Sequence, residues 1–395
     1  MDTSSDARFN VQSTHGKAGR TKKVLVTGSS GLVGSEAVRY FDALGWRVFG
    51  IDNNMRKDFF GPSGDTTWNL KQLVAETRDF HPQKVDIRSR QALNLLISQE
   101  RFDMIFHCAA QPSHDLARYR PLDDFDVNAM GTINLLEAAR QSCPESPFVT
   151  MSTNKVYGDA PNEIPLVELM TRYEYARAED YDGVDESCRI DASTHSVFGA
   201  SKVAGDIMTQ EYGRYFNMPT CVLRGGCLTG SQHSAVSLHG FLNYLARVAV
   251  RGDTYTIIGY KGKQVRDQLH AYDVVRAAHA FAEAPRSGEV YNLGGGRKNS
   301  ASVLECIERL EAMTGKPLKR QYEPVNRVGD HICYITNLSK LRTHYPNWNI
   351  SRSLDDILEE MLRAEWVQNG ADQHEFAFDR SGEAAVGVST GTGLL

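Results

Sequence analysis

The stretch that decides the fold is Lys23-Val-Leu-Val-Thr-Gly-Ser-Ser-Gly-Leu-Val-Gly34, in which glycines join a short apolar run to an amphipathic segment. Val24–Val26 predicts a buried parallel strand, and the apolar residues between Leu32 and Leu44 recur at helical spacing. Glycines let a backbone approach a pyrophosphate closely, and the free N–H groups of the helix start attract its charge. The same three glycines also suit an ordinary strand-to-helix turn, so the neighbouring sequence has to decide between the two.

The residues after this turn favour a dinucleotide site. Trp46-Arg-Val-Phe-Gly-Ile-Asp52 predicts a second strand that ends in an acid. In a dinucleotide-binding fold, a carboxylate at this place accepts both hydroxyls of an adenosine ribose. Because a carboxylate repels a 2′-phosphate, Asp52 favours NAD over NADP, and Arg56 nearby keeps that preference moderate. The residues that we expect to hold NAD here are Gly28, Ser30, Gly31, Leu32, Val33, Gly34, Asp52 and Asn53.

The composition is typical of a globular enzyme that can bury a large core. The 395 residues are 41% hydrophobic and 24% charged, and the formal net charge of −5 gives no reason to expect nucleic acid or an anionic membrane as a partner. No apolar run approaches the length of a membrane span, and Met1–Lys22 is polar, so we expect a cytoplasmic location. The seven cysteines are scattered without a C-x-x-C pair, which favours free thiols over disulfides or a metal site.

Strands and helices alternate through the rest of the first half of the chain, and this implies right-handed crossovers and a parallel sheet. The predicted fold is therefore α/β, a Rossmann-type doubly wound sheet with a smaller C-terminal substrate-binding lobe. After an insertion at Asn53–Pro82 with a helix near Trp68–Thr77, the predicted elements are strand Lys84–Asp86, helix Gln91–Gln99, strand Asp103–Ala110, helix Asp126–Arg140 and strand Phe148–Thr153.

The alternation loosens beyond Lys202, which suggests a division of the chain. A long helix, Ser196–Phe216, and a strand, Thr220–Arg224, are followed by a helix near His239–Arg251 and a strand at Tyr255–Ile258. We expect an NAD-binding domain at 22–223, to which later segments return, and a substrate-binding lobe mainly at 224–366. Residues 1–21 and 367–395 are poor in periodic apolar positions, so we expect a disordered and a flexible tail.

Polar residues just after the predicted strands are further candidates, because ligands of such sheets bind outside the carboxyl ends of the strands. Asp86 could meet the adenine end of the cofactor or could instead cap the next helix. His107–Gln111 could run beside the nicotinamide half of the cofactor, or Ala109 and Ala110 could simply allow tight packing. The cofactor contacts expected in this region are Asp86, Ile87, Ala109, Ala110, Gln111, Asn128 and Ser152.

Two further stretches carry a family resemblance. Thr153-Asn-Lys-Val-Tyr-Gly158 follows the fifth strand, and Phe198-Gly-Ala-Ser-Lys202 lies in the long helix. With the glycine turn they resemble the extended short-chain dehydrogenase/reductase family of nucleotide-sugar epimerases and dehydratases, over roughly residues 22–366. Gly262-Lys-Gln-Val-Arg-Asp267 and Asn292-Leu-Gly-Gly295 are most similar to its CDP-sugar 2-epimerase branch.

The resemblance implies a role for individual residues and a homodimer. Thr153 would hydrogen-bond the reacting hydroxyl, and Lys202 would hold the nicotinamide ribose and lower a nearby pKa. Arg266 and Arg327 would grip the nucleotide diphosphate, as a planar guanidinium suits phosphate oxygens. The small-molecule substrate, a nucleotide sugar or a nucleoside, would contact His114, Asn154, Arg224, His239, Arg266 and Arg327.

Three departures from the family pattern bear on the reaction. Phe198 stands where the family has the tyrosine that takes the proton from the sugar hydroxyl, and a phenyl ring has no proton to exchange. Asn154-Lys155 stands where 4,6-dehydratases have Asp-Glu, and Leu228-Thr-Gly230 where relatives commonly have Tyr-Gly-Pro. The candidates for moving the proton are therefore Lys202, Thr153 through a water, Lys155 and, less directly, His195.

Three functions are compatible with these residues. The first is epimerisation, in which a sugar carbon is oxidised and the hydride returns to its other face. The second is dehydration, in which transient oxidation acidifies a neighbouring C–H and water is lost. The third is a non-catalytic NAD-binding protein, against which the retention of Thr153 and Lys202 argues.

Overall fold

A computed structural model describes residues 20–232, 240–326 and 330–368. The strands are β1 Lys23–Thr27, β2 Arg47–Ile51, β3 Phe80–Gln83, β4 Met104–His107, β5 Phe148–Thr153, β6 Leu166–Glu168, β7 Tyr173–Tyr175, β8 Thr220–Gly225, β9 Cys227–Thr229, β10 Tyr255–Ile258, β11 Val265–His270, β12 Glu289–Leu293, β13 Ser300–Ser302, β14 Arg320–Glu323 and β15 Cys333–Tyr334.

Helices connect most of these strands. They are α1 Leu32–Ala43, α2 Met55–Phe60, α3 Thr67–Glu76, α4 Arg90–Glu100, α5 His114–Ala117, α6 Pro121–Phe125, α7 Gly131–Ser142, α8 Val197–Phe216, α9 Phe241–Arg251, α10 Ala271–Glu283, α11 Val303–Thr314, α12 Ser339–His344 and α13 Leu354–Gln368. None of the described helices combines the length and the apolar composition that a membrane span needs.

The centre of the molecule is a seven-stranded sheet in the order β12-β8-β5-β4-β1-β2-β3, and every neighbouring pair in it is parallel. Helices cover both faces. In β1, Val24 and Val26 pack on one face with α1 and α10, whereas Leu25 packs on the other face with α4 and α7. This alternation follows from the two-residue period of a strand and buries both faces. The predicted doubly wound α/β fold is confirmed.

The third strand is where the sequence prediction was wrong. It lies at Phe80–Gln83, ahead of the predicted Lys84–Asp86, and pairs only with β2 at the edge of the sheet. An edge strand is half solvated and tolerates Pro82, so it lacks the apolar run by which the inner strands are found. The helix predicted from Asp126 also begins differently, because Asp126–Met130 forms a π-helical turn before α7.

The C-terminal part of the chain builds small sheets beside the carboxyl ends of the main strands. β11 pairs with β9, β13 and β15, and β10 pairs with β14. A separate apolar cluster joins α9, α11 and α13. β12 belongs to the main sheet and α10 packs on one face of it, although both follow residue 224. The division of the chain at that residue stays a prediction.

Candidate active site

A cavity of about 820 Å³ lies at the carboxyl ends of the main-sheet strands and is bounded on its other side by C-terminal segments. Most of the residues predicted from the sequence line it. These are Gly28, Gly31, Leu32, Val33, Gly34, Asp52, Asn53, Asp86, Ile87, Ala109, Ala110, Ser152, Thr153, Asn154, Lys155, Phe198, Lys202 and Arg266.

The glycine turn is tightly packed, most severely at Gly28 and Gly34. Gly28 has a φ of +65°, and a Cβ placed on it would lie 2.9 Å from the Ala109 backbone. A Cβ on Gly34 would lie 2.1 Å from the Gly28 carbonyl oxygen, so α1 packs closely on β1 only because residue 34 has no side chain. Gly31 caps α1 without a side-chain hydrogen bond and lines the cavity. Leu32, Val33 and Gly34, the first residues of α1, also line the cavity, and no N-cap side chain occupies their N–H groups, which suits a pyrophosphate.

Asp52 is held in place by the backbone on both of its oxygens. Oδ2 accepts a hydrogen bond from the Ser30 N–H at 3.0 Å, and Oδ1 accepts one from the Asn54 N–H at 2.7 Å. Burial nevertheless raises the pKa of Asp52 above its ordinary value, against the effect of these hydrogen bonds. A buried carboxylate at the end of β2 that still lines the cavity suits the two hydroxyls of an adenosine ribose.

The two alternatives for Asp86 both describe part of its environment. Its carboxylate accepts a hydrogen bond from the Arg88 N–H at 2.8 Å, which orders the chain ahead of α4. It also accepts one from the Asn53 side chain at 3.0 Å, and both residues line the cavity. The structure thus links Asp86 to the wall next to Asp52 as well as to its own loop.

Lys202 and Thr153 both line the cavity. The Lys202 ammonium donates to the Met151 carbonyl oxygen at 2.7 Å, and its side chain is buried between α8 and β5. Burial lowers the pKa of Lys202 to about 8, although the nearby Asp206 carboxylate opposes that shift. The Thr153 hydroxyl accepts a hydrogen bond from the Lys155 N–H at 3.2 Å. A hydroxyl and an amine whose pKa is lowered by burial thus line the same cavity.

Phe198 lines this part of the cavity as well, with 7% of its surface exposed. It lies one helical turn before Lys202 in α8, so the two side chains share a face of the helix. The ring supplies an apolar surface where the resembled family has a phenol. The ring itself has no proton to exchange.

Lys155 belongs to a charged cluster at the C-terminal side of the cavity. Its ammonium lies 3.3 Å from Asp330 Oδ1, and the Arg266 guanidinium donates to the same oxygen at 2.6 Å. Burial alone would raise the pKa of Asp330, but Arg266 and Lys155 hold it well below its usual value. Burial lowers the pKa of Lys155 below its ordinary value, and the positive charge of Arg266 acts in the same direction.

Two residues predicted to take part in chemistry or substrate binding lie elsewhere. The ring nitrogens of His195 lie 2.7 Å from the Val156 carbonyl oxygen and 3.1 Å from the Ser193 carbonyl oxygen. Arg224 is 4% exposed and forms an ion pair with Asp206 at 2.9 Å. Both residues line a separate groove, away from the cavity, because backbone carbonyls and a buried carboxylate engage them.

Three predicted cofactor contacts do not line the cavity but hydrogen-bond to residues of the protein itself: Gln111, Asn128 and Ser30. Gln111 donates from its side chain to Asp124 at 2.7 Å, and Asn128 donates to the Gln111 carbonyl oxygen at 3.2 Å. Both side chains are buried and shape the loop that follows β4. Ser30 contributes its backbone N–H to Asp52, while its own hydroxyl is buried without a partner among the described residues. His239 and Arg327, and the side chain of His114, lie outside the described residues.

Sequence reasoning missed several residues that the C-terminal segments bring to the cavity. Asp330 is the most informative, since it lies 175 positions after Lys155 in the chain and no local pattern links the two. Gln264 and Gln268 line the cavity on either side of Arg266. These two glutamines could have been predicted from the sequence, because each lies two residues from Arg266 and residues two apart in a strand point to the same face.

Comparisons with known proteins identify the family of this chain. Residues 24–294 match the family model described as the NAD dependent epimerase/dehydratase family. The chain is 32% identical over 354 residues to CDP-paratose 2-epimerase of Salmonella typhi, across 88% of this chain and 99% of that protein. It is 28% identical to dTDP-glucose 4,6-dehydratase 1 of Escherichia coli, across 78% of this chain and 82% of that protein.

The fold is also similar to that of a solved epimerase structure. The chain superposes with a TM-score of 0.71 and 26% identity on a tyrosine-to-phenylalanine mutant of UDP-glucuronic acid 4-epimerase from Bacillus cereus, across 88% of this chain and 99% of that one. That protein was solved in complex with NAD and UDP-4-deoxy-4-fluoro-glucuronic acid. This chain therefore belongs to the family of NAD-dependent epimerases and dehydratases.

Proposed function

We propose that this protein is an epimerase that acts on a nucleotide-linked or nucleoside sugar with NAD as its cofactor. The observation that carries the proposal is one cavity that is lined by the glycine turn and Asp52 on one side and by Thr153 and Lys202 on the other. The relatives in the comparison include epimerases for CDP-linked and UDP-linked sugars, and this chain covers nearly their whole length.

The residues present fit NAD. The open N-terminus of α1 would hold the pyrophosphate, and Asp52 would accept the adenosine ribose hydroxyls. Lys202, which is buried beside β5, would hold the nicotinamide ribose. NAD supplies a hydride acceptor that can return the hydride to the same sugar carbon, so the reaction needs no other redox partner.

The protein's own residues then have to orient the sugar and take up its hydroxyl proton. Thr153 would donate to or accept from the reacting hydroxyl, and Phe198 would exclude water beside it. The Lys202 amine is the best placed proton acceptor, since burial gives it a pKa of about 8. Lys155 is the second candidate, since burial lowers its pKa below the ordinary value, although its ion pair with Asp330 favours the charged form.

Dehydration is the alternative that the chemistry allows. A 4,6-dehydratase of this family expels water with an Asp-Glu pair, and Asn154-Lys155 lines the cavity at that place instead. The Lys155–Asp330 pair could supply a base and an acid of another kind, which would permit a non-standard elimination. A non-catalytic NAD-binding protein would not need Thr153 and Lys202 in the cavity, so their presence argues against that alternative.

The test is incubation of the purified protein with a panel of nucleotide sugars and nucleosides, followed by mass spectrometry and NMR. An isobaric product with inverted stereochemistry is the expected result. A product lighter by one water would replace the proposal with a dehydratase. Binding of NAD without any conversion across the panel would favour the non-catalytic alternative.

We also propose that the protein is a cytoplasmic homodimer. Tyr119, Leu122 and Phe125 are 72%, 81% and 46% exposed and form an apolar surface around α6 that a second copy could cover. The seven cysteines are all free, which suits a reducing compartment. Light scattering during size-exclusion chromatography measures the mass directly, and a monomer at micromolar concentration would contradict the dimer.

A further inference from the structure

Strand β11 presents three polar side chains to the cavity. Gln264, just ahead of the strand, and Arg266 and Gln268 within it all line the cavity wall. They are two residues apart, so their side chains leave the same face of the strand. Arg266 is paired with Asp330, but the environments of the two glutamines differ from one another.

Gln268 is fully buried and its amide is unsatisfied. Its exposed surface is 0%, and neither Nε2 nor Oε1 has a hydrogen-bond partner among the described residues. Exchanging the two amide atoms changes nothing, because both lack a partner. Gln264, in contrast, donates from Nε2 to the Ile258 carbonyl oxygen at 3.0 Å, so only its Oε1 is open. A buried amide without partners is costly, so a fold retains one where a ligand completes it.

The donor and acceptor atoms of the Gln268 amide indicate which kind of ligand group would pair with it. An amide has two donor hydrogens and an acceptor oxygen, so its full complement needs a ligand that both accepts and donates. A phosphate at neutral pH mainly accepts, and it would leave Oε1 unpaired. A sugar hydroxyl does both.

The register places Gln268 towards the reacting end of the cavity. Gln268 pairs with Cys227 of β9, and Gly225, two residues before Cys227, pairs with Thr153 of β5. In the backbone, the paired segment 225–227 is thus all that lies between Gln268 and Thr153, and the side chains of both residues line the cavity. The sugar, not the base, is the part of a nucleotide sugar that has to reach Thr153.

We propose that Gln268 determines sugar specificity by hydrogen-bonding a hydroxyl of the bound sugar through its amide. This inference rests on the proposed function, since it assumes that a sugar occupies the Thr153 end of the cavity. A site built to hydrogen-bond a hydroxyl rejects an analogue that lacks it, because the buried amide is then left unpaired. The relevant substrates are therefore sugars that retain that hydroxyl.

The experiment compares two ligand pairs on the NAD-loaded protein by calorimetric titration: CDP-glucose with CDP, and UDP-glucose with UDP. Gln268→Met keeps the length of the side chain and removes both hydrogen-bonding atoms. We expect the variant to bind the sugar nucleotide roughly 10-fold to 100-fold more weakly, and the sugar-free nucleotide with unchanged affinity. Gln99→Met makes the same change on the exposed face of α4 and should alter neither affinity.

A melting experiment tests separately whether the variant folds. Gln268→Met should melt at or above the temperature of the unmodified protein, because it replaces an unsatisfied amide by an apolar group. If that variant does not fold, Gln268→Asn withdraws the amide by one methylene and should show the same selective loss.

Three results would overturn the inference. If the Gln268 variant and the unmodified protein bound the sugar nucleotide with equal affinity, Gln268 would have no part in recognising the sugar, while the proposed function would stand. If the variant lost affinity equally for the sugar nucleotide and the free nucleotide, the amide would contact the nucleotide and not the sugar. Binding of no ligand by the unmodified protein would overturn the proposed function, and this inference with it.

Discussion

Phe198 is the residue that separates this chain most clearly from the enzymes it resembles. Its ring lines the cavity one helical turn before Lys202, so a hydroxyl added to it would reach the same region. We expect Phe198→Tyr to fold, to bind NAD and to raise turnover, by up to about 100-fold if the native reaction lacks an efficient proton acceptor. The rate of conversion of the identified substrate measures this.

Phe216→Tyr is the matched control, since it adds the same hydroxyl to a half-exposed ring at the other end of α8. It should leave the rate unchanged. If Phe198→Tyr instead abolishes turnover while NAD and substrate still bind, the ring itself shapes the pocket, and the reaction differs from that of the relatives.

Lys202 should give the reaction its pH dependence. Its pKa is lowered to about 8 by burial, so the neutral amine that can accept a proton predominates above that pH. We expect kcat/KM to rise with pH and to level off above about pH 8. Lys202→Arg keeps a positive charge but cannot lose its proton, and it should remove both the activity and the rise. An unchanged profile in Lys202→Arg would assign the proton to another group, with Lys155 the next to test.

Asp52 should decide the choice of cofactor. Asp52→Ala removes the carboxylate that two backbone N–H groups hold at the end of β2. We expect NAD affinity to fall roughly 10-fold to 100-fold, since charge-assisted hydrogen bonds are worth about 1.5–3 kcal/mol each. Asp58→Ala, on exposed α2, is the control. Tighter binding of NADP than of NAD by the unmodified protein would contradict the role of Asp52.

At the scale of elements, the close contact between β1 and α1 depends on Gly34. A methyl group there would meet the Gly28 carbonyl oxygen at 2.1 Å, so Gly34→Ala must push the helix start away from the strand. We expect a loss of about 1–3 kcal/mol in the free energy of unfolding, as in other overpacked sites. NAD affinity should fall as well, because the N–H groups of α1 move. Denaturant titration and NAD titration measure the two effects, and an unchanged NAD affinity would show that the helix start does not hold the pyrophosphate.

The elements that sequence predicts well are those with a strong local signal. β1, α1 and β5 were predicted within a residue or two, because each combines an apolar run with glycine turns or capping residues. β3 was missed because an edge strand needs no apolar run. The cluster of Lys155, Asp330 and Arg266 could not be derived, since it depends on how β11 and the chain near residue 330 fold back over the main sheet.

For the whole molecule, the cavity joins two parts of the chain with different contributions. The main sheet and its helices provide Asp52, Thr153 and Lys202, whereas the C-terminal segments provide Gln268 and Asp330. A ligand that touches both parts links two apolar clusters that are separate in the core. Ligand binding should therefore be visible in the stability of the entire protein.

NAD should stabilise the folded protein against unfolding. NAD that binds the folded chain and not the unfolded one adds about 2.7 kcal/mol to the free energy of unfolding when its concentration is 100 times its Kd. We expect the melting temperature to rise with added NAD and to rise less with NADP at the same concentration, since Asp52 disfavours a 2′-phosphate. The Asp52→Ala variant should lose most of the difference between the two cofactors, and this control separates recognition of the ribose from general nucleotide binding. Denatured protein should also release NAD that remained bound during purification. If no NAD is released and neither cofactor shifts the melting temperature, the cavity does not hold the cofactor as the family membership implies, and the roles proposed for Lys202 and Thr153 fail with it.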